Sequence, residues 1–179
     1  MTTEEAHQQI CQKAQDIFRQ KHQDYGPSWR VMRFPSLLDQ LLIKCRRVRN
    51  IEDHQEQAVG DSIESEFYGM INYSIMVLIQ RKLGPDSAQY QDEASLLELH
   101  VHFAGQAREL MRQKNHDYGE VWREMMPTSF TDLILAKLYR MRQMVTVGEQ
   151  NQTSEGINAN VYDVMNYAVF ALIQREKKS

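Results

Sequence analysis

The chain has few of the residues that interrupt helices, with 8 glycines and 4 prolines among 179 residues, and this favours helix over strand. No apolar run approaches the roughly 18 residues that a membrane-spanning helix needs, and the polar, acidic first residues do not resemble a signal peptide. A net charge of −3 argues against direct nucleic-acid binding. The two cysteines, Cys11 and Cys45, lack CxxC spacing, which predicts reduced, buried thiols in a cytoplasmic protein.

What the chain does contain is one decapeptide in two copies. Residues 21–30 read KHQDYGPSWR and residues 114–123 read KNHDYGEVWR, so both share K-x-x-D-Y-G-x-x-W-R. Around them, residues 5–49 align with 98–142 without a gap, and later Asn-Tyr and Leu-Ile-Gln-Arg blocks recur after one inserted residue. Three matching blocks in the same order indicate a tandem duplication.

The duplication divides the chain into repeat 1 (residues 1–83), a linker (84–94) and repeat 2 (95–179). Three helices in about 85 residues bury their apolar faces poorly when alone. We therefore expect an all-α helical bundle built from two tandem repeats of three to four helices, packed as one globular unit with pseudo-twofold symmetry. A homodimer of such units is equally allowed.

Apolar residues at helical spacing locate the individual helices. Gly26 and Gly119 are expected to end the first helix of each repeat, because glycine accepts the left-handed conformation that closes a helix. The predicted helices cover residues 4–21, 35–49, 62–83, 98–114, 130–141 and 161–177, with polar loops at 50–61 and 148–160.

Polar residues that recur in both repeats are the candidates for binding. Lys44 and Arg47 lie three apart on a helix and share a face, where Arg as a bidentate fork and Lys as a point charge would grip phosphates. The alternative is a solvated face, or ion pairs with Asp24 and Asp117. The candidate substrate-binding residues are Lys21, Lys44, Arg47, Lys114, Lys137, Arg140, Tyr25, Trp29, Tyr118, Trp122, Asn72 and Asn166.

The decapeptide has two interpretations. In the functional one, Tyr25 and Trp29 line a pocket for a base or sugar, with Lys21 and Asp24 as polar anchors. In the structural one, Lys21 stabilises the negative end of the first helix, and the two aromatic rings pack over the turn.

The third helices differ between the repeats, since Glu66 aligns with Asn160 and Gly69 aligns with Asp163. An intact E-x-x-D-x-x-N-Y would place three oxygen ligands on one helix face, which suits Mg²⁺, but neither repeat has it whole. Either such a site has decayed, or the repeats complement each other across the pseudo-twofold axis. The candidate metal ligands are Glu66, Asp163 and Asn166, and the candidate catalytic acids are Asp163, Glu66, Asp117 and Asp24.

Two structural alternatives apply to these candidates. Asp163 would pair with Arg140 or Lys137 if its role were structural. His100 and His102 are two apart on a helix, so their rings point away from each other and are not expected to bind a metal together.

The three blocks together give a resemblance to a known family. In order, they are K-x-x-D-Y-G-x-x-W, a D-x-x-x-x-K-x-x-R helix, and a D-x-x-N-Y block that is intact in repeat 2. Each repeat resembles the nucleotide-modification-associated domain of the first type, a small all-α family linked to nucleotide metabolism. The chain is also distantly similar to the all-α NTP pyrophosphohydrolases of the MazG and dimeric dUTPase type. In those enzymes, helical carboxylates hold Mg²⁺ while the α–β phosphate bond is split.

Three hypotheses for function follow. The first is a Mg²⁺-dependent (d)NTP pyrophosphohydrolase-like or nucleotide-modifying enzyme, with Mg²⁺ on the acids and the substrate phosphates on the cations. The second is a non-catalytic nucleotide-binding or regulatory module that keeps the cations and lacks the metal acids. The third is a helical scaffold in which every matched residue stabilises the packing. In the first two, the expected partner is a nucleotide or a nucleotide-like small molecule.

Overall fold

The computed structural model describes residues 1–55, 60–85, 92–147 and 154–177. Within these ranges the chain forms helices and no strand, so the expected all-α fold class is confirmed. The elements in chain order are α1 (Thr3–Tyr25), a 3₁₀ turn (Ser28–Val31), α2 (Phe34–His54), α3 (Ile63–Leu83), α4 (Glu93–Tyr118), a second 3₁₀ turn (Val121–Glu124), α5 (Pro127–Val147) and α6 (Ser154–Glu176).

The ends of α1 and α4 follow from local chemistry. Thr2 caps α1 in a capping box with Glu5, and Asp92 caps α4 by accepting a hydrogen bond from the backbone N–H of Ser95. Gly26 (φ 65°, ψ −163°) and Gly119 (φ 63°, ψ −160°) end the two helices in the same conformation, which is essentially restricted to glycine. Both predicted helix stops are therefore placed correctly.

Several boundaries differ from the predicted ones because polar helix surface was interpreted as loop. The helix α1 continues past residue 21 to Tyr25, α2 continues to His54, and α4 begins at Glu93 inside the expected linker. The helix α6 begins at Ser154, so much of the predicted 148–160 loop is helical. Residues 56–59, 86–91 and 148–153, which fall in the predicted loops and linker, lie outside the described residues.

Each helix packs against its counterpart in the other repeat. The structure pairs α1 with α4, α2 with α5, and α3 with α6, and the contacts of α1 with α6 are matched by those of α3 with α4. Because equivalent elements meet one another and the crossed contacts are reciprocal, the two repeats are related by a pseudo-twofold axis. The helices α3 and α6 lie at the centre, with most side chains between 66 and 80 and between 160 and 173 buried.

The structure also bears on the two cysteines and on the possibility of a membrane-spanning helix. Cys11 and Cys45 are free and buried, and burial raises the pKa of each thiol to about 12, so both stay protonated at neutral pH. No helix within the described ranges is both long enough and apolar enough to cross a bilayer.

Candidate functional site: two equivalent pockets

Each decapeptide lines a pocket against the third helix of its own repeat. Pocket 1 measures about 250 Å³ and pocket 2 about 160 Å³. The shared lining is a Lys, a Tyr, a Gly and a Trp from the decapeptide, together with a Tyr from the third helix. Pocket 1 is lined by Phe18, Lys21, His22, Tyr25, Gly26, Ser28, Trp29, Tyr73 and Met76, and pocket 2 by Met111, Lys114, Asn115, Tyr118, Gly119, Val121, Trp122, Met125, Asp163, Asn166, Tyr167 and Phe170.

A glutamine on each third helix holds the 3₁₀ turn that carries the tryptophan. The side-chain amide of Gln80 donates to the carbonyl oxygens of Arg30 and Met32 at 2.7 and 2.6 Å. In repeat 2, Gln174 donates to the carbonyl oxygens of Trp122 and Met125 at 2.9 and 3.1 Å. The repeated Leu-Ile-Gln-Arg block therefore has a positional role, because its glutamine fixes the wall of the pocket.

The aromatic residues of the decapeptide divide into exposed and packed ones. Tyr25 and Tyr118 are 74% and 75% exposed, so the structural interpretation, in which the tyrosine packs over the turn, is wrong for both. Trp122 is buried and stacks on Phe170, with ring centroids 4.3 Å apart and planes 6° apart. Trp29 is half-buried and meets Phe18 edge-to-face at 6.0 Å. Each pocket thus has one exposed phenol at its mouth and one packed indole in its wall.

In repeat 1, the acid of the third helix pairs with two cations of α2. Glu66 is buried, and its carboxylate lies 2.9 Å from Arg47 and 3.5 Å from Lys44. Lys44 crosses directly over Gly69, where an added Cβ would lie 2.7 Å from the Cε atom of that lysine. Glycine at position 69 therefore leaves the space through which Lys44 reaches Glu66.

In repeat 2, the acid lies one helical turn further along. Asp163 accepts hydrogen bonds from Lys114 and from Lys137, the latter at 3.0 Å. The alternative of a salt bridge to Lys137 is thus observed, joined by a contact to the pocket lysine. Asn160 replaces Glu66 here, and within the described part of the chain Arg140 makes no hydrogen bond or ion pair.

The pocket lysines consequently differ in charge environment. Lys114 is paired with Asp163, whereas its counterpart Lys21 has a glycine, Gly69, at the position that aligns with Asp163 and, among the described residues, has no hydrogen bond or ion pair. Asp24 and Asp117 are exposed and lie outside both pocket linings. Asp24 accepts from Gln20 at 3.1 Å, and Asp117 lies 3.2 Å from the ring of His116. The alternative in which these two acids pair with the α2 and α5 cations is not observed among the described residues.

The two recurring asparagines form a network that the sequence did not suggest. Asn72 donates to the carbonyl oxygen of Ala14 at 2.9 Å and contacts His100 of the other repeat at 2.9 Å. Asn166 donates to the carbonyl oxygen of Ala107 at 3.0 Å and contacts His7 at 2.9 Å. All four side chains are buried, so each asparagine links its own first helix to that of the other repeat.

The histidines of this network were missed as candidates, although a signal was available. His7 and His100 occupy equivalent positions in the gapless alignment of residues 5–49 with 98–142. The spacing of His100 and His102 within one helix does not show this recurrence, which appears only when the two repeats are aligned. Burial lowers the pKa of both His7 and His100 from 6.5 to about 4, so both are neutral hydrogen-bonding groups at pH 7.

The expected Mg²⁺ donors do not fit the ion as they stand. Glu66 and Asp163 are each held by two cations of their own repeat, and the amide of Asn166 is engaged by Ala107 and His7. Mg²⁺ in proteins takes one or more carboxylates in a near-ideal octahedron. Within the described ranges, no three His, Cys, Asp or Glu side chains come together as a metal-binding group.

Comparison with known proteins supplies the family. Residues 21–81 and 114–175 each match the family described as nucleotide modification associated domain 1. The chain belongs to this family. No curated protein and no solved structure matches it.

The limits of the two matches correspond to the geometry of the pockets. Each copy of the nucleotide modification associated domain begins at the pocket lysine, Lys21 or Lys114, and ends just after the glutamine that holds the 3₁₀ turn. The matched segments thus include the decapeptide, the α2 or α5 cations and the third helix. His7 and His100 lie before them, in the first helices that join the repeats.

Proposed function

We propose that the protein binds a phosphorylated, nucleotide-related small molecule in pocket 1. The observation that carries this proposal is the difference between the two pocket lysines. Lys114 has a carboxylate partner in Asp163, whereas Lys21 has none among the described residues, and position 69, which aligns with Asp163, is glycine. A phosphate oxygen would give Lys21 the same charge-assisted contact that Asp163 gives Lys114.

The rest of the pocket 1 lining suits the uncharged part of such a ligand. Tyr25 is exposed at the mouth, Trp29 is half-buried in the wall, and Tyr73 lies on the third helix. Aromatic faces of this kind stack on nucleobases with little sequence preference. Burial raises the pKa of Tyr73, so its hydroxyl stays protonated and can donate a hydrogen bond.

The size of pocket 1 limits how much of the ligand it encloses. Its volume of about 250 Å³ is below the range of ~300–1,000 Å³ that is usual for small-molecule sites. The pocket therefore holds one end of a nucleotide, with the phosphate against Lys21, and leaves the other end at the surface. Membership of a nucleotide modification associated family supports a ligand of this class.

The sequence also suggests a more specific function, pyrophosphohydrolysis. The pocket linings favour nucleotide binding without hydrolysis. Phosphoryl chemistry relies on groups that neutralise charge and orient the attacking water. Among the described residues, the lining of pocket 1 contains no carboxylate, and that of pocket 2 contains only Asp163. The same protein sample should therefore bind nucleotides without releasing pyrophosphate.

The test is a thermal-shift titration with nucleoside mono-, di- and triphosphates, comparing Lys21→Met with Lys114→Met. We expect at least one nucleotide to raise the Tm of the wild type. Lys21→Met should weaken that binding by about tenfold or more, as expected for loss of a charge-assisted phosphate contact. Lys114→Met is the matched control and should bind like the wild type.

Two results would contradict the proposal. If no nucleotide shifts the Tm, the scaffold hypothesis is favoured. If the two lysine variants lose affinity equally, the charge difference between the pockets does not select the site. A parallel pyrophosphate-release assay with Mg²⁺, repeated with EDTA, decides between the binding module and the hydrolase.

A further inference from the structure

We infer that pocket 2 is a second binding site of different chemistry, which takes an uncharged planar heterocycle such as a nucleobase and excludes phosphorylated ligands. The inference depends on the proposed function only in taking the ligand to be nucleotide-related. Four features of pocket 2 support it: its walls, its charge, its size and its polar group.

The walls of pocket 2 are mainly apolar and aromatic. Trp122 and Phe170 form a stacked pair, and Met111 and Met125 complete much of the remaining lining. Methionine side chains adapt to the edge of a flat ring, and sulfur–aromatic contacts are favourable. This surface stabilises a planar apolar body better than it does an extended charged chain.

In pocket 2 the lysine of the decapeptide already has a carboxylate partner. The carboxylate of Asp163 accepts from Lys114 at the pocket surface and from Lys137 behind it. A phosphate that approached Lys114 would have to displace this carboxylate or lie beside it. Like charges in such proximity are strongly unfavourable at a binding surface, so Asp163 acts as an internal anion that closes the site to phosphates.

The size of pocket 2 is that of a single ring. Its volume is about 160 Å³, against about 250 Å³ for pocket 1. An apolar cavity of about 150 Å³ is enough to bind one benzene ring. Pocket 2 thus has room for a nucleobase without its sugar and phosphate.

Asp163 also supplies the polar contact that orients the ring. An ionised carboxylate has about four lone-pair sites, and the two lysines use one on each oxygen. The side chain is 18% exposed, so a free lone pair can accept a hydrogen bond from a ring N–H or an amino group. The ligand is therefore an uncharged heterocycle with such a donor.

The chain offers a direct test because it contains two tryptophans, one in each pocket. Trp29→Phe leaves Trp122 as a fluorescent reporter of pocket 2, and Trp122→Phe leaves Trp29 as a reporter of pocket 1. The probes are the four common nucleosides, their free bases and their 5′-monophosphates. With Trp29→Phe, we expect a saturable change with at least one base or nucleoside, and affinity for its monophosphate at least about tenfold weaker, because of the like-charge contact.

Asp163→Asn in the Trp29→Phe background should reduce this discrimination to less than about threefold, because the internal anion is gone while the volume is kept. Circular dichroism checks that the double variant is folded. If it is not folded, the discrimination measured with Trp29→Phe alone still decides the inference.

The inference is overturned if Trp122 responds equally to a nucleoside and its monophosphate, or to neither. These failures are distinguishable from failure of the proposed function. With Trp122→Phe, a response of Trp29 to monophosphates keeps pocket 1 as a phosphate site whatever pocket 2 does. Silence of both reporters would refute both proposals.

Discussion

The two repeats share one fold and differ in where they place a single carboxylate. In repeat 1 the acid is Glu66, which pairs with Arg47 and Lys44, while the pocket lysine, Lys21, has no partner among the described residues. In repeat 2 the acid is Asp163, three positions further along the equivalent helix, which neutralises the pocket lysine. A shift of one helical turn therefore decides whether the pocket lysine has a carboxylate partner.

The comparison also shows what the duplication has preserved. Three features are the same in both repeats: the glycine that ends the first helix, the glutamine that holds the 3₁₀ turn, and the histidine–asparagine contact between the repeats. These groups hold helices together and have to be matched wherever the packing is matched. The acids touch only the cations of their own repeat, so they were free to diverge. The repeats thus differ at the positions where the pockets acquire their charge.

The largest effect should come from lowering the pH, which acts on the shared core of both repeats. The pKa of His7 and His100 is lowered by burial from 6.5 to about 4. Between these values the unfolded chain binds protons that the folded chain does not, so the free energy of unfolding falls as the pH falls from about 6.5 to about 4. At 1.36 kcal/mol per pKa unit, each histidine contributes on the order of 3 kcal/mol to this loss. Urea unfolding at several pH values measures it.

His7→Gln and His100→Gln sharpen the acid experiment. Glutamine keeps an N–H donor for the facing asparagine and removes one titrating group, so each variant should lose about half of the histidine-dependent slope. His102→Gln, at an exposed position, should leave the slope unchanged. A wild-type slope in either buried variant would show that the histidines do not govern the acid response.

The next effect should come from removing the asparagines that join the repeats. Asn72→Ala leaves His100 and the carbonyl oxygen of Ala14 without their buried partner, and Asn166→Ala does the same to His7 and Ala107. Leaving buried polar groups unpaired costs about 1–3 kcal/mol each, so with two such groups each variant should lose about 2–6 kcal/mol in denaturant unfolding. Equal losses are expected, because the two networks are equivalent.

Asn160→Ala is the control for this pair, since among the described residues its side chain donates only to the carbonyl oxygen of Gly156 on its own helix. This variant should lose about 1 kcal/mol or less of unfolding free energy, well below the loss expected for Asn72→Ala or Asn166→Ala. Markedly unequal losses for Asn72→Ala and Asn166→Ala would mean that the pseudo-twofold core is stabilised mainly from one side.

The sequence predicted the fold well but did not predict which side chains of the site contact each other, for identifiable physical reasons. Helical spacing and Gly26 and Gly119 act locally, so the all-α repeats and the ends of their first helices could be read from the chain. The partner of Asn72 is His100 of the other repeat, and no local rule links positions so far apart. The sequence also left two interpretations of Tyr25 open, because its 74% exposure depends on how the 3₁₀ turn packs against α3.

The smallest effect should distinguish the two acids themselves. Glu66 is 9% exposed at its side chain and holds two partly buried cations, whereas Asp163 is 18% exposed and one of its cations, Lys114, is 55% exposed. Breaking a buried ion pair is costly because a charge is left uncompensated, and exposed pairs contribute little. Glu66→Gln should therefore cost about 1–2 kcal/mol in urea unfolding, and Asp163→Asn less than about 1 kcal/mol. The reverse order would show that Asp163 is kept for stability, and the argument that it is kept to exclude phosphates from pocket 2 would lose its basis.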